Sequence, residues 1–301
     1  MRRFISWLTV FRRSVQGRKA GRCAAWILPG VLMLAAPMVE ISEAAVQESI
    51  EEQQAEADRL LQQGNGQLDA GQFREALQSL LPALEIYQKV GDLRSQGITL
   101  GDLGLVYHNL GQYQQAIELY ELAIAIAREI GNQRNEGAVL GSLGHSHEAL
   151  GQHQQAINLY EQQLSIVRAV GHRRGEAYAL GNLGVAYRNL GQEQQAIAAY
   201  QQALAITREI GDLPGEGAFL SNIGAVLAGQ NQTEQAIGVL QQSVEVYETI
   251  RHNIRDLSQA QQQAFLDSVS RTYIVLVRLL QQENRAEEAQ RILELIGNES
   301  E

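Results

Sequence analysis

Cysteine, tryptophan, lysine and proline are all scarce in this chain, and each shortage closes off a kind of chemistry or architecture. The one cysteine is Cys23, so no internal disulfide can form. Both tryptophans, Trp7 and Trp26, fall in the first 26 residues. Beyond Lys19 the only lysine is Lys89, and no glycine is followed by Lys-Ser or Lys-Thr, which excludes a nucleotide-binding phosphate loop. Four prolines in 301 residues leave few forced breaks, and the dominance of Ala, Leu, Gln, Glu and Ile favours helix.

What the chain does have begins with an uneven charge distribution. Arg2, Arg3, Arg12, Arg13, Arg18, Lys19 and Arg22 supply seven of the 24 basic residues before Cys23. A 17-residue apolar run, Cys23 to Val39, follows, and then the small-residue step Ser42-Glu43-Ala44. A basic stretch, an apolar stretch and a small-x-small step, in that order, are the parts of a secretory signal peptide. We therefore expect residues 1–44 to be a leader and the chain to be exported, to the periplasm or outside the cell. The alternative is a membrane anchor through residues 23–39, where Pro29 and Pro37 suit a spanning helix poorly. The Arg12-Arg13 pair raises twin-arginine export, but its surroundings fit that pattern badly. Cleavage near Ala44 removes Cys23, both tryptophans, seven bases and two acids, leaving 17 bases against 32 acids, a net charge of −15. Such a surface repels nucleic acid and anionic membranes and favours basic or neutral protein partners.

From residue 60 the sequence repeats itself. The segments 100–132, 140–172, 180–212 and 220–252 align with one another, and 60–92 is a more diverged copy; the period is 40 residues throughout. Each period carries two helical stretches, from about Leu93 to Leu110 and from about Gln112 to Ile130 in the second copy. Glycine followed by a polar residue marks the stops, as at Gly91-Asp92, Gly111-Gln112 and Gly131-Asn132. Gly101, Gly104, Gly141, Gly144, Gly181, Gly184 and Gly224 lie inside helices, where each costs about 1 kcal/mol relative to Ala. Close packing has to offset that cost. A lone hairpin cannot bury its apolar face, but a stack can.

Gly104, Tyr107, Gly111, Tyr113, Ala116, Tyr120 and Ala123, with Gly144, Gly151, Ala156 and Tyr160 and then Gly184, Tyr187, Gly191, Ala196, Tyr200 and Ala203, resemble the small and aromatic signature of the tetratricopeptide repeat family. The 40-residue period is similar to that of kinesin light chains and related cargo adaptors. The resemblance covers residues 57–256. It implies an all-α fold, a right-handed α-solenoid of stacked antiparallel helix pairs, with the five repeats in 45–256. Pro82 falls inside the second helix of the first copy and is expected to kink or interrupt it. After residue 252 the period breaks, and 258–282 with 286–297 read as capping helices within a closing region, 257–301. The stretch 243–281 also resembles the segment that closes the repeat array in bacterial, especially cyanobacterial, proteins with a caspase-like CHAT domain. That likeness implies a second role, as a regulatory or sensing module for a separate effector.

No catalytic, metal or cofactor site is expected. His145 and His147 are two residues apart on a helix and face different directions, whereas metal pairs on a helix want a spacing of three or four. What remains is the concave groove, which in this family is lined by the first helix of each repeat. The positions carried over are Asp102, Ser142, Asn182 and Asn222 in one row, with Asn109, Ala149, Asn189 and Gly229 seven residues on and His108, Glu148 and Arg188 beside them. Seven residues is two turns, so both rows share a face. An asparagine amide offers a donor and an acceptor and can bond an extended backbone whatever its side chains are. Solvation of the helix face is the competing explanation of these residues. Arg94, Arg134 and Arg174 form another ladder near helix starts, able to meet a partner carboxylate or simply to stay on the surface. Five first helices ~9 Å apart span roughly 40 Å, room for an extended segment of about 12 residues.

Overall fold

The computed structural model describes residues 43–297, and the residues from Val46 on pack as one compact unit. The basic stretch, the apolar run and the alternative anchor at 23–39 lie outside the described residues. Among those described there are twelve α-helices and no strand: α1 Glu43–Asp69, α2 Phe73–Val90, α3 Leu93–Asn109, α4 Tyr113–Glu129, α5 Gln133–Ala149, α6 His153–Ala169, α7 Arg173–Asn189, α8 Glu193–Ile210, α9 Leu213–Gly229, α10 Thr233–Asn253, α11 Gln259–Gln282 and α12 Ala286–Gly297. Consecutive helices pack as hairpins, and each hairpin packs on the next. None of the described helices is long and apolar enough to cross a membrane.

The turns come every 20 residues. Gly71, Gly91, Gly111, Gly131, Gly151, Gly171, Gly191 and Gly211 all have φ between 67° and 77°. That left-handed conformation lets the chain close back on the helix it leaves: the Gly111 amide donates to the His108 carbonyl at 2.9 Å and the Gln112 amide to Tyr107 at 2.9 Å. The series ends at Asn231 and Asn284, which take φ of 58° and 56° without being glycine. Asparagine is the side chain that tolerates this region best.

The interior glycines set how closely the two helices of a hairpin approach. A Cβ on Gly104, Gly144 or Gly184 would lie 2.5, 2.4 and 2.4 Å from the rings of Tyr120, Tyr160 and Tyr200. In the first and fifth hairpins the same place holds leucine: Gly64 lies under Leu80 and Gly224 under Leu240, each with a would-be contact of 2.6 Å. The three tyrosines are at most 1% exposed. Each buried ring therefore lies directly on the backbone of the partner helix, and the ~1 kcal/mol helix penalty of each glycine is offset by burying a large side chain, worth about 2–3 kcal/mol.

Successive hairpins are stapled by a ladder that the sequence reading missed. Arg128, Arg168 and Arg208, near the ends of second helices, pair with Glu136, Glu176 and Glu216 of the next first helices at 2.6, 2.8 and 2.7 Å. The expectation about Pro82 is corrected: α2 runs through it without interruption. Pro82 sits on the exposed side, and so does Gln78, whose carbonyl is left without its helical donor and can turn to water. At the far end Ser258 caps α11 through a reciprocal box with Gln261, and α12 forms the closing helix over the residues expected for it.

Candidate peptide-binding groove

The inner face of the stack is made by α3, α5, α7, α9 and α11. Successive members touch: α3 meets α5, α8's partner α7 meets α9, and α9 meets α11. Side chains bridge them, His108 Nδ1 to Ser146 Oγ at 2.9 Å, Asn189 Nδ2 to Glu148 Oε2 at 2.8 Å and Ser221 Oγ to Thr272 Oγ1 at 2.7 Å. The second helices come together less closely, as where Arg128 reaches Gln162 at 3.4 Å.

Along this face the predicted residues divide by what they are already bonded to. Asn109 is exposed, but its amide donates to the Leu105 carbonyl of its own helix at 2.8 Å. Asn189 donates to Glu148, which is also held by His153 at 3.0 Å. The second row is thus largely satisfied from within. Ser142 Oγ makes a long bond, 3.4 Å, to the Ala138 carbonyl. Asn182 and Asn222 are different: both are half-buried, and neither amide makes a hydrogen bond among the described residues. They stand at the same position of consecutive hairpins, and each keeps a donor and an acceptor free of bonds within the chain.

Two ionisable groups are shifted by their surroundings. Burial pushes the Asp102 carboxyl up to about 6; Asn65 opposes this and the charge of Asp69 adds to it. Asp102 Oδ2 is buried without a partner. His108 is held below its usual value by burial and then by His145, so near neutral pH it is an uncharged link between α3 and α5. It also stands edge-on to Tyr113, with ring centroids 5.2 Å apart.

Arg188 lies at the rim of a small cavity of about 130 Å³, together with Ser221, Asn222, Arg271 and Thr272. Arg271 and Thr272 come from α11, and sequence reasoning assigned them only to a cap. A signal existed: the left-handed Asn231 and Asn284 align the fifth hairpin with the closing one, which puts Val275 at the place of Asn222 and Arg271 one turn before it. The ladder near helix starts does not act as a unit. Arg94 and Arg134 are exposed, whereas Arg174 Nε lies 3.3 Å from Asp212 Oδ2 and is engaged within the chain. Among the described residues no three His, Cys, Asp or Glu side chains are grouped so as to hold a metal ion.

A model of the tetratricopeptide repeat family matches residues 56–129, 135–209 and 175–249, more than half of the chain. Among solved structures, a putative kinesin light chain with nearly identical TPR-like repeats from Podosopora anserina is 24% identical, with a TM-score of 0.52 over 66% of this chain and 94% of that one. The apo form of RapI is 15% identical, with a TM-score of 0.61 over 79% and 99%. Aspartyl phosphate phosphatase F from Bacillus subtilis is 14% identical, with a TM-score of 0.63 over 85% and 73%. At these identities the likeness is one of fold. No curated protein is similar enough in sequence to be matched to the chain.

Proposed function

Because the chain belongs to the tetratricopeptide repeat family, whose repeats serve protein–protein interaction, we propose that it is a non-catalytic scaffold holding an extended segment of a partner protein along the inner face of its stack. The observation that carries this reading is the pair of amides left without a bond inside the chain, Asn182 and Asn222, one hairpin apart. Each can accept from and donate to a peptide backbone, and adjacent first helices ~9 Å apart match about three extended residues. An amide serving only to solvate a helix face has no need of a half-buried position. The interior of the face, where Glu148 is bonded by both His153 and Asn189, supplies a preformed floor that need not reorganise on binding.

The order of charges and apolar residues before residue 44 supports export, which places the partner in the periplasm or outside the cell. A second reading, a regulatory module for a separately encoded effector such as a CHAT-type peptidase, is supported by the resemblance of residues 243–281 and would use the same face. The test is capture from the native host on tagged chain, with partners identified by mass spectrometry. Replacing Asn182 and Asn222 together by Ala is expected to weaken retention of the partner at least tenfold while leaving the helical circular dichroism intact. Undiminished retention moves the docking site to the outer face or the closing helices.

A further inference from the structure

We propose that the groove is electrically polarised along its length and selects an extended segment of opposite charge at its two ends, cationic over Asp69 and Asp102 and anionic over Arg188 and Arg271. This rests on the reading of the inner face as a peptide site and adds to it the chemistry of the peptide. The overall charge, −10, favours basic or neutral partners; the local arrangement adds a place for an acidic group.

At the far end, Arg188 from α7 and Arg271 from α11 line the same cavity of about 130 Å³, and Asn222 lines it with them. Neither guanidinium has a hydrogen bond or ion pair among the described residues, although acidic residues outnumber basic ones in the chain. The Ser221–Thr272 bond at 2.7 Å ties α9 to α11 and fixes the wall on which these groups stand. The volume equals that of about four water molecules, enough for a carboxylate and its nearest waters. A carboxylate there receives charge-assisted bonds from one or both guanidinium groups.

At the near end the sign is reversed. Asp69, at the end of α1, acts on Asp102 of α3 as a like charge. Two polar atoms here are buried and make no close hydrogen bond: Asp102 Oδ2 and the hydroxyl of Tyr120, a side chain 1% exposed on which Ser142 and the Asp102 charge act in opposite directions. An ammonium or guanidinium laid against the two carboxylates relieves their repulsion. Between the ends, Glu148 is already paired with His153 and bonded by Asn189, so the charge contrast is concentrated at the ends. From α3 to α7 and on to α11 the inner face advances two to four steps of ~9 Å, which an extended segment covers in about 6–10 residues.

The experiment measures fluorescence anisotropy of labelled peptides with a fixed neutral Ala/Ser/Thr spacer of about ten residues and two charged residues at each end. Four versions are compared on the purified chain: Lys/Glu, Glu/Lys, Lys/Lys and Glu/Glu. At least one of the oppositely charged versions is expected to bind fivefold or more tightly than both like-charged ones. Arg188→Glu with Arg271→Glu is expected to shift the preference to Lys/Lys, and the milder Arg188→Gln with Arg271→Gln to abolish the preference without reversing it. Equal binding of all four peptides, no binding of any, or a preference that survives both double variants overturns the polarised groove. The reading of the inner face fails separately, if the natural partner is retained by Asn182→Ala with Asn222→Ala.

Discussion

Replacing Asp102 by Asn is expected to stabilise the protein near neutral pH, and the gain should vanish in acid. Asp102 stands at the position held by Asn182 and Asn222 two and three hairpins later, so the replacement is one the fold already accommodates. Burial is the main cause that pushes its carboxyl up to about 6, from an ordinary 3.8. A carboxyl whose folded value is raised opposes folding when charged. That penalty is fully present above about pH 6, declines as pH falls through 6, and is gone below 3.8. A rise of about two pH units corresponds to about 3 kcal/mol, an upper figure because α1 and α3 can relax and admit water. Urea denaturation followed by far-UV circular dichroism, at about pH 7.5 and about pH 4, reads the effect, with hydrogen exchange in α3 localising it within the array. The expected result is a gain of about 1–3 kcal/mol at the higher pH and little at the lower. A variant less stable than the parent near pH 7.5, or a gain that does not shrink in acid, rules out a buried, penalised charge at Asp102.

Gly184→Ala should destabilise by about 1 kcal/mol, because the helix propensity gained is smaller than the cost of moving the fully buried Tyr200 ring off a contact of 2.4 Å. Thermal unfolding checks it, and a raised midpoint contradicts the seam described above. Asn231→Gly should stabilise by about 0.5 kcal/mol, since the residue already adopts φ of 58°; the same melts decide it, and a loss shows that the Asn side chain matters there.

The stack was legible because its determinants repeat. One glycine at a stop is weak, but left-handed glycines every 20 residues from Gly71 to Gly211 fix both the helix lengths and the pairing. Pro82 misled because the effect of proline depends on which side of the helix it occupies, and only packing reveals that Pro82 and Gln78 face outward. In the groove, the position of a side chain could be carried along the 40-residue period, but its bonding could not. Asn189 is engaged by a Glu148 that lies 41 residues away, and Arg174 by Asp212, while Asn182 and Asn222 make no hydrogen bond among the described residues. Arg271 escaped notice because the spacing changes at the cap, so the period no longer points to it. The ladder of Arg128, Arg168 and Arg208 with Glu136, Glu176 and Glu216 recurs at 40 residues and was readable, but only to a comparison made across the junction between hairpins.

Docking of partners on the face built by the first helices is open to direct capture. A photo-crosslinking residue placed at 182, and in a separate preparation at the exposed Glu121 of the second helix α4, tests it in the native host. Covalent capture of a partner segment from position 182 and none from 121 is expected; capture from 121 with none from 182 rules out docking on this face.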